Sequence, residues 1–133
     1  MTGVQTCALP ISAIIILSDR KSGSEEALGR VFNALALASE CKQKGDDVAV
    51  VFNGTGTRWP AELSKLSHPA NGLYNSVRDV VQGASCGCAD VFGAKESVES
   101  CGVPLKKDHA LAGTSGLLSL RRYVSEGWNT IVF

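Results

Sequence analysis

A chain of 133 residues with 44% apolar and 20% charged side chains has the size and composition of one globular domain. Thirteen basic residues balance thirteen acidic ones without any basic run, which excludes an electrostatic footprint for nucleic acid or an anionic membrane. No apolar run approaches the ~20 residues a membrane helix needs, so neither nucleic acid nor membrane is an expected partner.

Met1 to Ser12, MTGVQTCALPIS, lacks the charged start and continuous apolar centre of a signal peptide. It resembles a sequencing-adapter oligonucleotide translated in one frame. Residues 1–12 are therefore read as a non-native leader in front of a single domain over 13–133, and Cys7 is left out of the chemistry. Without a secretory signal the expected setting is the cytoplasm, where thiols stay reduced.

AIIILS, from Ala13, is apolar on both faces, as a central strand of a parallel sheet requires. DRKSGS is a turn in which Ser22 or Ser24 caps a helix, with Glu25 and Glu26 in its first turn. Leu28, Val31, Phe32, Leu35 and Ala38 recur at helical spacing, and the helix is expected to run to about Lys44 and stop at Gly45. Asp47–Asn53 is a second strand, GTGTRWP a loop, and Pro60 opens a short helix over AELSKL. LYNSVRDVV predicts a helix with Leu73, Tyr74, Val77, Val80 and Val81 inward, and GASCGCA a short buried strand or a turn. DVFGAKESVES is expected as a helix ending near Gly102 and VPLKKD as a strand or loop. SGLLSLRRYVSEG predicts a capped amphipathic helix stopped by Gly127, and WNTIVF is the last strand. The alternation argues for an α/β domain with a mainly parallel sheet of four or five strands. Its site is expected beyond the carboxyl ends of the strands, where Asp19–Ser24, Asn53–Pro60 and the cysteine segment would converge.

Metal chemistry finds little support. A closed zinc site wants four ligands in pairs spaced by two to four residues, whereas one residue separates Cys86 from Cys88, and His68 and His109 have no ligand-like neighbours. No metal is expected. NGTGTRWP carries Gly54 and Gly56 after a strand but has Trp59 where a dinucleotide fingerprint has its third glycine. The loop reads better as a turn, with Asn53, Gly54, Gly56, Arg58 and Trp59 as candidates for contact with a ligand or partner and Trp59 equally as packing. Cys41 and Cys101 read as small buried hydrophobes. Cys88 is flanked by glycine and alanine just before an expected helix, whose positive end and N–H groups around Gly87–Ala89 would stabilise a thiolate. On spacing alone Cys88 reads equally as such a reactive thiol or as another buried one, and Cys86 is close enough to be a resolving partner, although through a strained disulfide.

These residues carry a resemblance. VVFNGTGTRWP, LYNSVRDVVQG, CADVFGAKESVESCGV and SEGWNTIVF together resemble the DsrE/DsrF-like family over nearly all of 13–133, most clearly in the Cys-Ala-x-x-Phe-Gly segment Cys88–Gly93. The resemblance implies a three-layer α/β/α sandwich around a parallel sheet of about five strands, and a homo-oligomer. It also implies a sulfur-relay or sulfurtransferase-like protein that carries persulfide on Cys88 between donor and acceptor proteins or small sulfane-sulfur compounds. Ser85 stands where a common family pattern has a second cysteine, with Cys86 beside it, so single-cysteine carriage is the expectation. No cofactor is called for, because thiol exchange needs only a thiolate, access and a leaving group. A binding module without turnover, using Asn53–Trp59, and a redox protein forming a Cys86–Cys88 bond are the alternatives.

Overall fold

A computed structural model describes residues 9–133. Five strands form one sheet: β1 (Ile11–Ile16), β2 (Asp47–Phe52), β3 (Val81–Ser85), β4 (Leu105–Lys106) and β5 (Asn129–Val132). Their order is β4-β3-β2-β1-β5 and every pairing is parallel. Of the expected leader, residues 1–8, Cys7 among them, lie outside the described residues. Ile11 and Ser12 open β1, Ser12 pairing with Val48 and Asn129.

The runs that are apolar on both faces become the two innermost strands, because each face must be covered. Ile14, Ile16, Val48, Val50 and Phe52 point to one cluster; Ala13, Ile15, Ala49 and Val51 point to the other. Five helices, α1 (Glu25–Gln43), α2 (Trp59–Leu63), α3 (Asn71–Val77), α4 (Cys86–Val91) and α5 (Lys95–Ser100), contribute buried residues to the first cluster. The second is covered by Leu118 and Leu120, by Tyr123 of α6 (Arg121–Ser125), and by Trp128. The architecture is an α/β fold of three layers, one much thinner than the other. Handedness explains the imbalance: strands β1 to β4 step one way across the sheet, so right-handed crossovers fall on one face. The return to β5, on the far side of β1, must use the other.

α1 is capped as the sequence indicates. Ser24 Oγ accepts from Ala27 N–H, Glu25 and Glu26 occupy the first turn, and Gly45 at φ 81° follows the end. Its inward stripe is Ala27, Val31, Ala34, Leu35, Ala38 and Cys41; Leu28 and Phe32 lie outside it and stay exposed.

Three expectations are corrected. The helix over 73–81 ends at Val77, followed by a 3-10 turn (Arg78–Val80), and Val81 opens β3, since closely spaced valines serve either period. The helix expected after Cys88 starts at Cys86 and breaks at Gly93, φ 70°, into α4 and α5. The amphipathic helix from Ser115 shrinks to α6, because the backbone ahead of it bonds elsewhere. Leu117 exchanges both hydrogen bonds with His109, and the Gly116 carbonyl accepts from Gly87 N–H at 2.7 Å.

Gly56 and Gly29 separate two uses of glycine. A Cβ on Gly56 would stand 2.0 Å from the Ile16 carbonyl oxygen, whereas one on Gly29, within α1, meets nothing. Gly56→Ala is therefore expected to destabilise by at least ~2 kcal/mol, and Gly29→Ala to stabilise by about 0.5–1 kcal/mol. Urea denaturation of the two variants checks this; equal effects would remove the close approach as the reason for glycine at 56.

Candidate functional site

The turn after β2 ties three loops together. Asn53 N–H donates to the Ile16 carbonyl at 3.0 Å, and a 3-10 turn over Gly54–Arg58 brings Arg58 round toward the end of β1. Its Nη1 donates to Asp19 Oδ1 at 2.9 Å and its Nε to the Phe92 carbonyl at 3.2 Å, with the guanidinium 5.5 Å from the centre of the Phe92 ring. Trp59 is buried, and its indole N–H donates to Ser18 O at 2.9 Å and to Ser18 Oγ at 3.0 Å. The loops after β1 and β2 and the end of α4, which follows β3, thus meet beyond the carboxyl ends of the strands, as the sequence reading anticipated.

Asp19 feels opposing influences. Burial pushes its carboxyl up, but the Arg58 hydrogen bond, the Lys21 backbone N–H and the charges of Arg58 and Lys21 outweigh it, and the group titrates below its ordinary value. Beside this ion pair a cleft of about 440 Å³ is lined by Arg20, Lys21, Arg58, Glu62 and Phe92. Glu62 is bound by Arg20 at 2.9 Å and by Lys65 at 3.0 Å, so the wall keeps a positive excess.

The thiols have different fates. Cys86 and Cys88 occupy the first turn of α4 two positions apart, an interval at which helical side chains diverge. Cys86 is buried, with Sγ 3.5 Å from Ser115 Oγ, under the strap formed by residues 114–118. That strap is held by Gly87 N–H on Gly116 O and by Leu118 N–H on Ser85 Oγ at 3.1 Å. Cys88 is half-buried, one turn before Phe92 on the same face of α4. Cys41 sits in the core, where burial pushes its thiol up and Asp46 and Glu40 add to the effect. Cys101, half-buried at the end of α5, donates to the Val98 carbonyl at 3.3 Å.

The expected thiolate support is reduced. α4 has only six residues, and the Gly87 N–H is already taken by Gly116; the cationic cleft lies beyond Phe92, one turn further along α4, and Cys88 does not line it. Gly54, at φ 56°, and Gly56, whose Cα faces the Ile16 carbonyl, shape the turn. Asn53 is buried, and its Oδ1 has no hydrogen-bond partner. Its extended backbone, φ −125° and ψ 161°, continues the alternation of β2 and puts the side chain on the same sheet face as Ser85 and the strap. The reading of the sequence missed Asp19, Arg20, Lys21, Phe92 and Ser115 as site residues. The first three lie in a loop it had placed at the site, and their charge was the available signal. Ser115 had none. Among the described residues no three of His, Cys, Asp and Glu gather as metal ligands, and no helix is long and apolar enough to cross a membrane.

Fold and site together define a parallel α/β protein with one half-exposed thiol at the junction of three strand-end loops. The chain belongs to the family of the uncharacterized protein MJ0733 of Methanocaldococcus jannaschii, to which it is 31% identical over 103 residues, 76% of this chain and 78% of that protein. No family model matches the chain. No solved structure matches it.

Two expectations concern the geometry. The stability contributed by Asp19 is fully present above the ordinary carboxylate value of ~4 and is lost as pH falls through the lower folded value. The gap in Tm between the parent and Arg58→Gln should therefore be widest near neutral pH and narrow below about pH 4; a gap independent of pH would mean that Arg58 does not act through this carboxylate. A Cβ on Gly87 would stand 2.6 Å from Leu117 Cδ2 and 2.9 Å from Gly116 O. Gly87→Ala should then lift the strap and raise the alkylation rate of Cys86, read by peptide mapping after maleimide labelling; an unchanged rate would show that the strap is not what protects Cys86.

Proposed function

We propose that the protein is a sulfur carrier of the DsrE/DsrF-like kind, with Cys88 as the persulfide-bearing residue. The observation that supports this reading is selective exposure. Of the described thiols, Cys88 alone is both outside the core and beside the junction of loops; Cys41 and Cys86 are buried, and Cys101 lies at the opposite end of the sheet. The cleft lined by Arg20, Lys21 and Arg58 next to Phe92 has the charge to attract an anionic sulfane-sulfur compound or an acidic patch on a donor protein.

The exchange needs no outside oxidant. The Cys88 thiolate attacks the terminal sulfur of a donor persulfide, a new S–S bond forms at Cys88 as the donor's S–S bond breaks, and the donor leaves as a thiolate. The outer sulfur of Cys88 persulfide then passes to an acceptor thiolate by the same exchange, which regenerates Cys88. The reducing cytoplasm and assembly as a homo-oligomer belong to this reading. A Cys86–Cys88 redox couple is less favoured, because a bond between diverging side chains would require the first turn of α4 to unwind.

Incubation with a persulfide donor followed by intact mass spectrometry tests it. The parent and Cys86→Ser should each gain one sulfur atom, and Cys88→Ser should not. A Cys88→Ser protein that gained sulfur as readily as the parent would reject the reading. A protein whose Cys88 took up no sulfur, yet whose Tm rose with an anion that fills the cationic cleft, would instead be a binding module.

A further inference from the structure

Tyr74 of α3 lies fully buried, edge-on to Phe52 with ring centres 6.5 Å apart and with the Arg78 guanidinium 5.1 Å from its ring centre. Its hydroxyl nevertheless has no hydrogen-bond partner. A buried unpaired hydroxyl is a liability that phenylalanine would avoid with the same ring. Tyr74 also lines a cleft of about 410 Å³, with Arg78, Val81, Cys101 and Pro104 around it. This cleft opens at the amino ends of β3 and β4, the opposite end of the sheet from Cys88.

The wall holds one cation and one carboxylate, and they are not paired with each other. Arg78 donates from Nη2 to Ser64 Oγ at 3.3 Å and to Cys101 O at 3.2 Å, and from Nη1 to Asn75 Oδ1 at 3.4 Å. These neutral acceptors fix the guanidinium without neutralising it, and no carboxylate pairs with it among the described residues. Asp79, also in the wall, is engaged by Lys42 Nζ at 2.7 Å. Burial pushes the Tyr74 phenol up and outweighs the opposing pull of the adjacent Arg78 guanidinium, which can donate to the phenol oxygen but leaves the hydroxyl proton free, so the hydroxyl remains a donor at neutral pH.

We propose that this cleft is a second binding site, for a small carboxylate or tetrahedral oxoanion, held by the Tyr74 hydroxyl and the Arg78 guanidinium. A fixed unpaired cation supplies the charge, and the phenol supplies a directed hydrogen bond that the fold leaves unused. The site is independent of the sulfur chemistry proposed for Cys88.

NMR titration of the ¹⁵N-labelled full chain with sodium succinate and, separately, sodium phosphate at fixed ionic strength tests this. A saturable shift confined to amides around Tyr74, Arg78 and Gly102 is expected with at least one of the two, and the responding anion identifies the class. Tyr74→Phe should weaken that binding about tenfold or more, Arg78→Gln should weaken it as well, and the Tm of anion-free Tyr74→Phe should equal or exceed that of the parent. Shifts that never saturate, that fall elsewhere or that survive in both variants would overturn the proposal. So would a lower Tm for Tyr74→Phe, which would show that the hydroxyl serves the fold itself.

Discussion

Everything at the carboxyl end of the sheet depends on the approach of the turn after β2 to the end of β1. Gly56 lies so close to the Ile16 carbonyl that a single methyl group would strike it, and only from there does Arg58 reach both Asp19 and the Phe92 carbonyl. The pair is partly exposed, with 22% and 33% of the two side chains accessible. A pair so exposed contributes at most about 1 kcal/mol, far less than the burial of Phe52 or Trp59 at ~1.5–3 kcal/mol each. Its role is therefore geometric. It sets the position of Phe92, and through Phe92 the face of α4 that carries Cys88.

That geometry gives two cysteines only two positions apart opposite environments. The first turn of α4 directs Cys86 under the strap and Cys88 outward, because residues at this spacing sit on different sides of a helix. A pair of thiols that the sequence brings together is separated by the helix, one buried and the other half-exposed. The same turn explains why glycine lies between them: Gly87 is the point at which the strap touches α4, with no room for a side chain.

What the sequence revealed and what it hid follow the range of the interactions involved. The strands apolar on both faces, the capped start of α1 at Ser24 and its stop at Gly45 depend on neighbours within a few residues, and they were legible. So was the meeting of the loops after β1, β2 and β3, since parallel topology alone brings them together. The strap was not. Residues 115–120 have the period of an amphipathic helix, yet their hydrogen bonds go to His109, Gly87 and Ser85, partners that no local pattern announces. Leu28 and Phe32 fitted the stripe of α1 but lie just outside it, because Ala27, Val31 and Ala34 already fill the space against the sheet. Trp59 was ambiguous, and its two bonds to Ser18 fix the loop from within the core.

The unused polar atoms add a last consideration. Asn53 Oδ1 and the Tyr74 hydroxyl are buried without partners at opposite ends of the sheet, and each costs the fold about 1–3 kcal/mol. Three other buried polar side chains are answered: Asn71 Nδ2 by the Leu63 carbonyl, Thr57 by Gly54, Ser85 by Leu118. A domain this size has a net stability of only about 5–15 kcal/mol, so two such costs are a substantial fraction of it. Either could be removed by a nearly isosteric change, to leucine at 53 or phenylalanine at 74, without altering the backbone. The Tyr74 hydroxyl lies beside a cleft whose guanidinium has only neutral partners, which sets it apart from a simple error of packing, whereas Asn53 Oδ1 faces no cleft among the described residues.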